Sequence, residues 1–162
     1  KGILDFVEIA KQLPEYTFIW FGHTPMMTIP KKIRDLVNGD HPSNVRFPGY
    51  IKGDIIEGAY SGADLFFFPS YEETEGIVVL EALASKQQIL VRDIPVYQGW
   101  LKDGQNSYMG RNNLEFAAKI KALRNNELPD LTDAGYRTAQ GKSIDAIGKE
   151  LQSVYQEVLT KN

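Results

Sequence analysis

The chain is predicted to fold as an α/β domain, a Rossmann-like parallel sheet with helices on both faces. Three observations carry that expectation. Short runs rich in β-branched and aromatic residues alternate with segments whose apolar residues recur at helical spacing, the pattern of successive βαβ units. The run LFFFP, residues 65–69, is apolar throughout, as a strand covered on both faces must be. The 162 residues, 43% apolar and 24% charged, suit one globular domain able to bury a core without staples.

The elements follow in order. Ile3, Phe6, Val7, Ala10 and Leu13 keep helical spacing directly after Lys1 and Gly2. With no lead-in before this helix, residues preceding Lys1 are expected to belong to a longer protein. YTFIWFG (16–22) is predicted as a strand closed by glycine, residues 30–38 as a helix ended by NGD, and NVRFPGY (44–50) as the next strand. GDIIEGAYSGA (53–63) suits a short helix, DLFFFPS (64–70) a central strand, and the segment from about Gly76 a further helix. QILVRD (88–93) is a strand, Ile94-Pro95 a turn before a short helix through Trp100, and NSYMG (106–110) a short last strand. Helices are predicted over 112–125, 130–139 and 143–160. In the last, Ile144, Ile147, Leu151, Val154, Tyr155 and Val158 mark an amphipathic packing helix.

Composition excludes several functions. A formal charge of −3 offers no basic surplus for nucleic acid, so an anionic ligand would need local help. With no cysteine there is neither a disulfide framework nor a thiolate metal site, which is compatible with a reducing compartment. The longest apolar run is too short to span a bilayer, and contact with a membrane surface stays open. His23 and His41 are not spaced as a ligand pair, so no metal is expected. His23 is read as a loop residue near the cleft and His41 as exposed.

Ligands of parallel sheets bind beyond the carboxyl ends of the strands, which directs attention to the loops after Gly22, Gly49 and Pro69. The last leads into PSYEETEGIVVLEALAS, residues 69–85. Thr74 can cap the helix, and Glu72, Glu73 and Glu75 can complement its positive end. For each of the three this structural role competes with a ligand contact. Glu81 is different, because its neighbours from Ile77 to Ala84 are all apolar and the helix is expected to be packed on most sides. A buried carboxylate is costly, so Glu81 should be paired or reach into a cleft. At about 1.5 Å rise per residue, its Cα lies roughly 7 Å along the axis from the free amides near Gly76 and Ile77. Those amides form an anion site, and a diphosphate on them with a ribose at Glu81 matches the span. Glu73 would then reach the group on the other side of the diphosphate.

Glu73 and Glu81, with seven residues between them, sit in ETEGIVVLEALA, which resembles the E-x7-E motif of the retaining family 4 glycosyltransferases. The likeness runs along the whole chain. KGILDFVEIAKQLP is similar to the K-G helix that follows the first strand of that family's C-terminal domain, and FIWFG, NVRFPGYI and ADLFFFPS are similar to later strands. DIPVYQGWLKDGQNSYM parallels the segment that usually carries a D-G-x-N-G turn. With ETEGIVVLEALASKQQ, it looks most like bacterial enzymes that build glycosyl-diacylglycerol anchors.

The resemblance implies the donor-binding C-terminal half of a two-domain GT-B enzyme. Residues 1–162 would form one domain, truncated at its N-terminal edge and lacking the acceptor domain. It implies a nucleotide-sugar donor, UDP-glucose or similar, with Glu81 on the ribose and Glu73 on the sugar hydroxyls. Backbone amides from Gly76 through Ile77 to Val78 would face the sugar and diphosphate, and Lys1 would oppose the diphosphate. Tyr50 and Ile51 would flank the base, with Gly22 allowing close approach. A lipid acceptor, no metal or other cofactor, no nucleic-acid partner and a cytoplasmic location at the inner face of the plasma membrane complete the expectation. The chain departs from the family at Glu75, where an aromatic residue is usual, at ASKQQ in place of a glycine-containing segment, and at Ile94 to Tyr97 in place of a G-G-x-E turn. A GT-B sugar-nucleotide epimerase and a non-catalytic nucleotide-binding module are the alternatives. Arg92 and Asp93 are left between a substrate contact and a local salt bridge, and Phe66 to Phe68 are assigned to the core.

Overall fold

The computed structural model describes residues 1–23 and 25–160. The predicted alternation holds: α1 (Ile3–Gln12), β1 (Phe18–Phe21), α2 (Lys31–Val37), β2 (Val45–Gly49), α3 (Asp54–Gly62), β3 (Phe66–Phe68) and α4 (Ile77–Ala84) come first. β4 (Ile89–Arg92), β5 (Tyr108–Gly110), α5 (Asn113–Arg124), α6 (Thr132–Gln140) and α7 (Ile144–Thr160) follow. The strands are shorter than their apolar runs, and the expected helix through Trp100 is one 3₁₀ turn, Pro95–Tyr97.

Every pairing between these strands is parallel, but the ladder forms two blocks, β1 with β2 and β3 with β4 with β5. Between the blocks lies a groove of about 1210 Å³, lined on one side by Thr17–Phe21 and on the other by Leu65–Phe68. The unpaired edges of β1 and β3 border it. Phe6 of α1 bridges both blocks: its ring meets Phe18 and Trp20 edge-on at 5.4 and 5.1 Å and stacks on Phe67 at 5.8 Å.

β4 shows why the central strands are apolar on both faces. Leu90 points into a core shared with α1, α5 and Phe67, while Ile89 and Val91 enter a second core with Val79, Ala82 and Leu83 of α4. Each such side chain, removed from water, contributes about 1.5–3 kcal/mol. Phe66, Phe67 and Phe68 divide between the same two cores, as expected for a strand covered on both sides. Asn44 fastens β2 to the end of α1. Its amide nitrogen lies within hydrogen-bond distance of the carbonyls of Ala10, Leu13 and Tyr16, at 2.9, 3.0 and 2.9 Å, at the end of α1 and in the turn that follows it.

One expectation finds no partner here and one needs correction. The apolar face of α7 lies largely open among the described residues: none of its residues is buried, and Ile147 is 46% and Ile144 91% exposed. The amphipathic period identified the helix, but a period cannot supply the surface that covers it. His41 is half-buried rather than exposed, edge-on to Phe47 at 5.2 Å.

Candidate functional site

The glycines after the strands place the backbone at the carboxyl edge. Gly2 adopts φ 78° before α1, and a Cβ there would lie 2.2 Å from the Pro69 carbonyl oxygen, so only glycine lets the chain pass over the end of β3. That passage brings Lys1 to the loop after β3, where its Nζ donates to Glu73 Oε1 and Oε2 at 2.6 and 2.7 Å. The buried Ser70 hydroxyl donates to the same Oε1 at 2.6 Å. Glu73 is therefore held on two sides with its side chain only 7% exposed, while Lys1 remains 61% exposed and open to an incoming group. Sequence reasoning assigned Lys1 and Glu73 to different parts of a ligand. The fold brings them into direct contact.

Gly76 is the N-cap of α4 at φ 79°, and a Cβ there would stand 2.8 Å from the Tyr97 ring. The helix start is thus seated against the segment that replaces the usual glycine-rich turn. Thr74 makes no cap: α4 begins without a side-chain cap bond, leaving its first amides to another acceptor. Tyr97 itself is fully buried, and its hydroxyl has no partner among the described residues. Burial, and then the negative charge of Glu73, push its pKa up.

Glu81 overturns the argument that first drew attention to it. The carboxylate is exposed, not buried, because α4 covers the sheet with Val79, Ala82 and Leu83 and leaves the opposite face open, with Ile77 57% exposed. Val78 is packed only in part against the core. Glu81 is nevertheless paired, accepting a hydrogen bond at Oε2 from the Tyr60 hydroxyl at 2.9 Å. Glu72 and Glu75 are exposed in the loop.

The other predicted residues lie at the carboxyl edge of the first block. The Gly22 amide donates to the Gly49 carbonyl at 2.9 Å, joining the ends of β1 and β2. Tyr50 follows with 67% of its surface exposed, its ring 5.4 Å from Lys52 Nζ, and Ile51 is half-buried. His23 is exposed in the adjoining loop. Arg92 and Asp93 both resolve as salt bridges, Arg92 to Asp5 at 2.6 Å and Asp93 to Arg111 at 3.0 Å.

Sequence reasoning missed Ser70, Tyr60 and the centrality of Arg92. Ser70 carried the clearest signal: a hydroxyl that ends an apolar strand three residues before Glu73. Among the described residues no group of three or more His, Cys, Asp or Glu side chains is arranged to hold a metal ion. No helix among them is long and apolar enough to cross a membrane.

A family profile described as "Glycosyl transferases group 1" matches residues 1–126. The chain belongs to the group 1 glycosyl transferases. It is 46% identical over 159 residues to a processive diacylglycerol alpha-glucosyltransferase of Acholeplasma laidlawii, a match covering 98% of this chain and 48% of that protein. The chain therefore spans about half the length of that relative. Among solved structures, the sucrose-phosphate synthase of Thermosynechococcus elongatus superposes with TM-score 0.83 at 20% identity, over 100% of this chain and 43% of that one. An Anabaena protein in complex with UDP-glucose does so with TM-score 0.75 at 18% identity, over 100% and 46%. At those identities the likeness is one of fold: this group 1 domain has the architecture of the C-terminal half of a GT-B glycosyltransferase.

Proposed function

We propose that this domain is the donor-binding half of a retaining hexosyltransferase that draws on UDP-glucose or a close analogue and, in the intact protein, glycosylates a diacylglycerol-type lipid. The observation that carries the proposal is the cluster of Lys1, Glu73 and Ser70 beside the uncapped start of α4, with Glu81 on the open face of the same helix. An ammonium and free helix amides suit a diphosphate, and carboxylates suit the hydroxyls on either side of it. The glucosyltransferase named for the Acholeplasma relative and the UDP-glucose in the Anabaena structure point the same way.

In this reading the diphosphate lies on the amides of Gly76, Ile77 and Val78 and meets Lys1. Glu73 accepts from hydroxyls of the transferred sugar and Glu81 from the ribose. Gly22, Tyr50 and Ile51 border the base. As the bond from the anomeric carbon to the phosphate oxygen breaks, negative charge grows on the departing diphosphate. Lys1, held beside the uncapped amides by Glu73, would stabilise that charge together with them, and such preorganised stabilisation would be the domain's main catalytic contribution. The intact protein would work in the cytoplasm with peripheral contact at the inner face of the plasma membrane. The 162-residue domain alone would bind donor without transferring it.

The groove between β1 and β3 supports a proposal about domain limits. Two parallel edges face it, and Lys1-Gly2 crosses the carboxyl end of β3 just before α1. A strand from the segment preceding Lys1, running parallel to both, would join the blocks and complete a right-handed crossover through α1 to β1. Slow amide exchange along both edges in the intact protein is the expected result, and rapid exchange there would contradict the strand.

Incubating the intact protein with radiolabelled UDP-glucose and diacylglycerol vesicles tests the function. Label in a lipid-soluble α-glucoside is expected. Label recovered only as an epimerised nucleotide sugar would overturn the transferase reading in favour of an epimerase, and unchanged donor would argue against this donor and acceptor pair.

A further inference from the structure

The contact between α3 and Glu81 does more than pair an exposed charge. The Tyr60 ring is half-buried, 5.8 Å from Phe66 and tilted 37° to it, and Phe66 in turn stacks on Phe68 at 5.7 Å. The phenol is thereby anchored in the core while its hydroxyl reaches 2.9 Å to Glu81 Oε2. Among the described residues no other side chain donates to the Glu81 carboxylate, so Oε1 is left open. An exposed glutamate samples several rotamers, and a ligand that needs one of them must bear the entropy of selecting it. A hydrogen bond from an anchored donor removes that cost before the ligand arrives.

We infer that Tyr60 is a positioning residue for Glu81: its hydroxyl fixes Oε2 so that Oε1 is presented to the vicinal hydroxyls of the pentose of a nucleoside diphosphate. The inference rests on the reading of Glu81 as the ribose contact. Burial, and next the hydrogen bond to Glu81, push the Tyr60 hydroxyl pKa up.

The test is calorimetric titration of the intact protein with UDP and with 2′,3′-dideoxy-UDP, for wild type, Tyr60→Phe and Glu81→Gln. Phenylalanine keeps the ring against Phe66 and removes only the donor. Tyr60→Phe is expected to weaken UDP about five- to tenfold, the weight of one hydrogen bond, and to leave dideoxy-UDP affinity unchanged. Equal weakening of both nucleotides would mean a general packing role and overturn the inference. Glu81→Gln weakening UDP while Tyr60→Phe does not would overturn the positioning role alone. No effect of Glu81→Gln on UDP would overturn the ribose reading and the inference with it.

Discussion

Glu73→Gln in the intact protein is expected to lower turnover about 10²- to 10³-fold, the loss typical of removing one preorganised electrostatic group from an active site. Glutamine keeps the shape and can still accept from Ser70, so what disappears is the charge that now holds Lys1 by both oxygens. Without it the ammonium is free to wander, and the sugar hydroxyls lose their strongest acceptor. The fold should survive, because glutamine keeps the volume and the Ser70 contact, and the partner that loses its counter-charge, Lys1, is 61% exposed and can turn to water. Steady-state kinetics beside a thermal melt separate the two effects. Turnover within about threefold of wild type would remove Glu73 from the catalytic machinery.

Arg92→Met should instead be felt in stability, at about 3–5 kcal/mol, the cost of deleting one partner of a buried ion pair. Arg92 sits at the end of β4 with its side chain 7% exposed, donating to Asp5, to the Pro69 carbonyl and to the Arg111 carbonyl at 2.6, 3.0 and 2.8 Å. The guanidinium also lies 3.9 Å from the centre of the Tyr71 ring and 5.0 Å from that of Phe116. Methionine fills much of the volume but takes the charged partner from Asp5 and the guanidinium donor from two carbonyls. For a domain of this size the melting temperature should fall by roughly 6–20 °C. Because Pro69 opens the loop that carries Ser70 and Glu73, donor affinity should fall as well. Adding Asp5→Asn should restore part of the loss by removing the orphaned charge. A melting temperature within about 2 °C of wild type would show that the Arg92 network does not tie α1 and the chain after β3 and β5 to the end of β4.

The order of strands and helices was legible because each central strand is apolar on both faces and each helix keeps its own period. The K-G pair was legible only through the family resemblance and Gly76 only as the start of a helix; that both positions require glycine follows from their close approaches to Pro69 and Tyr97. Glu81 was misjudged for a physical reason: IVVLEALA is apolar enough to be covered all round, but only neighbouring elements decide which sides are covered, and here one face is open. The contacts that assemble the site are remote in sequence, Lys1 with Glu73 and Tyr60 with Glu81, and nothing local in either segment announces its partner. The apolar stripe of α7 was equally legible, but what it packs on was not, since a stripe specifies a partner's chemistry without its identity. Glu75 still has no structural role: it is exposed, and no partner among the described residues explains the charge there.

In the proposed complex a nucleoside diphosphate binds at the start of α4 between the two glutamates. Amide hydrogen exchange of the intact protein, followed by mass spectrometry with and without UDP, tests it most directly. Slowed exchange is expected at Gly76, Ile77 and Val78 and in the loops after Gly22 and Gly49, with the opposite ends of the strands unchanged. Saturating UDP that leaves the start of α4 unprotected, or protects the amino ends of the strands instead, would contradict it.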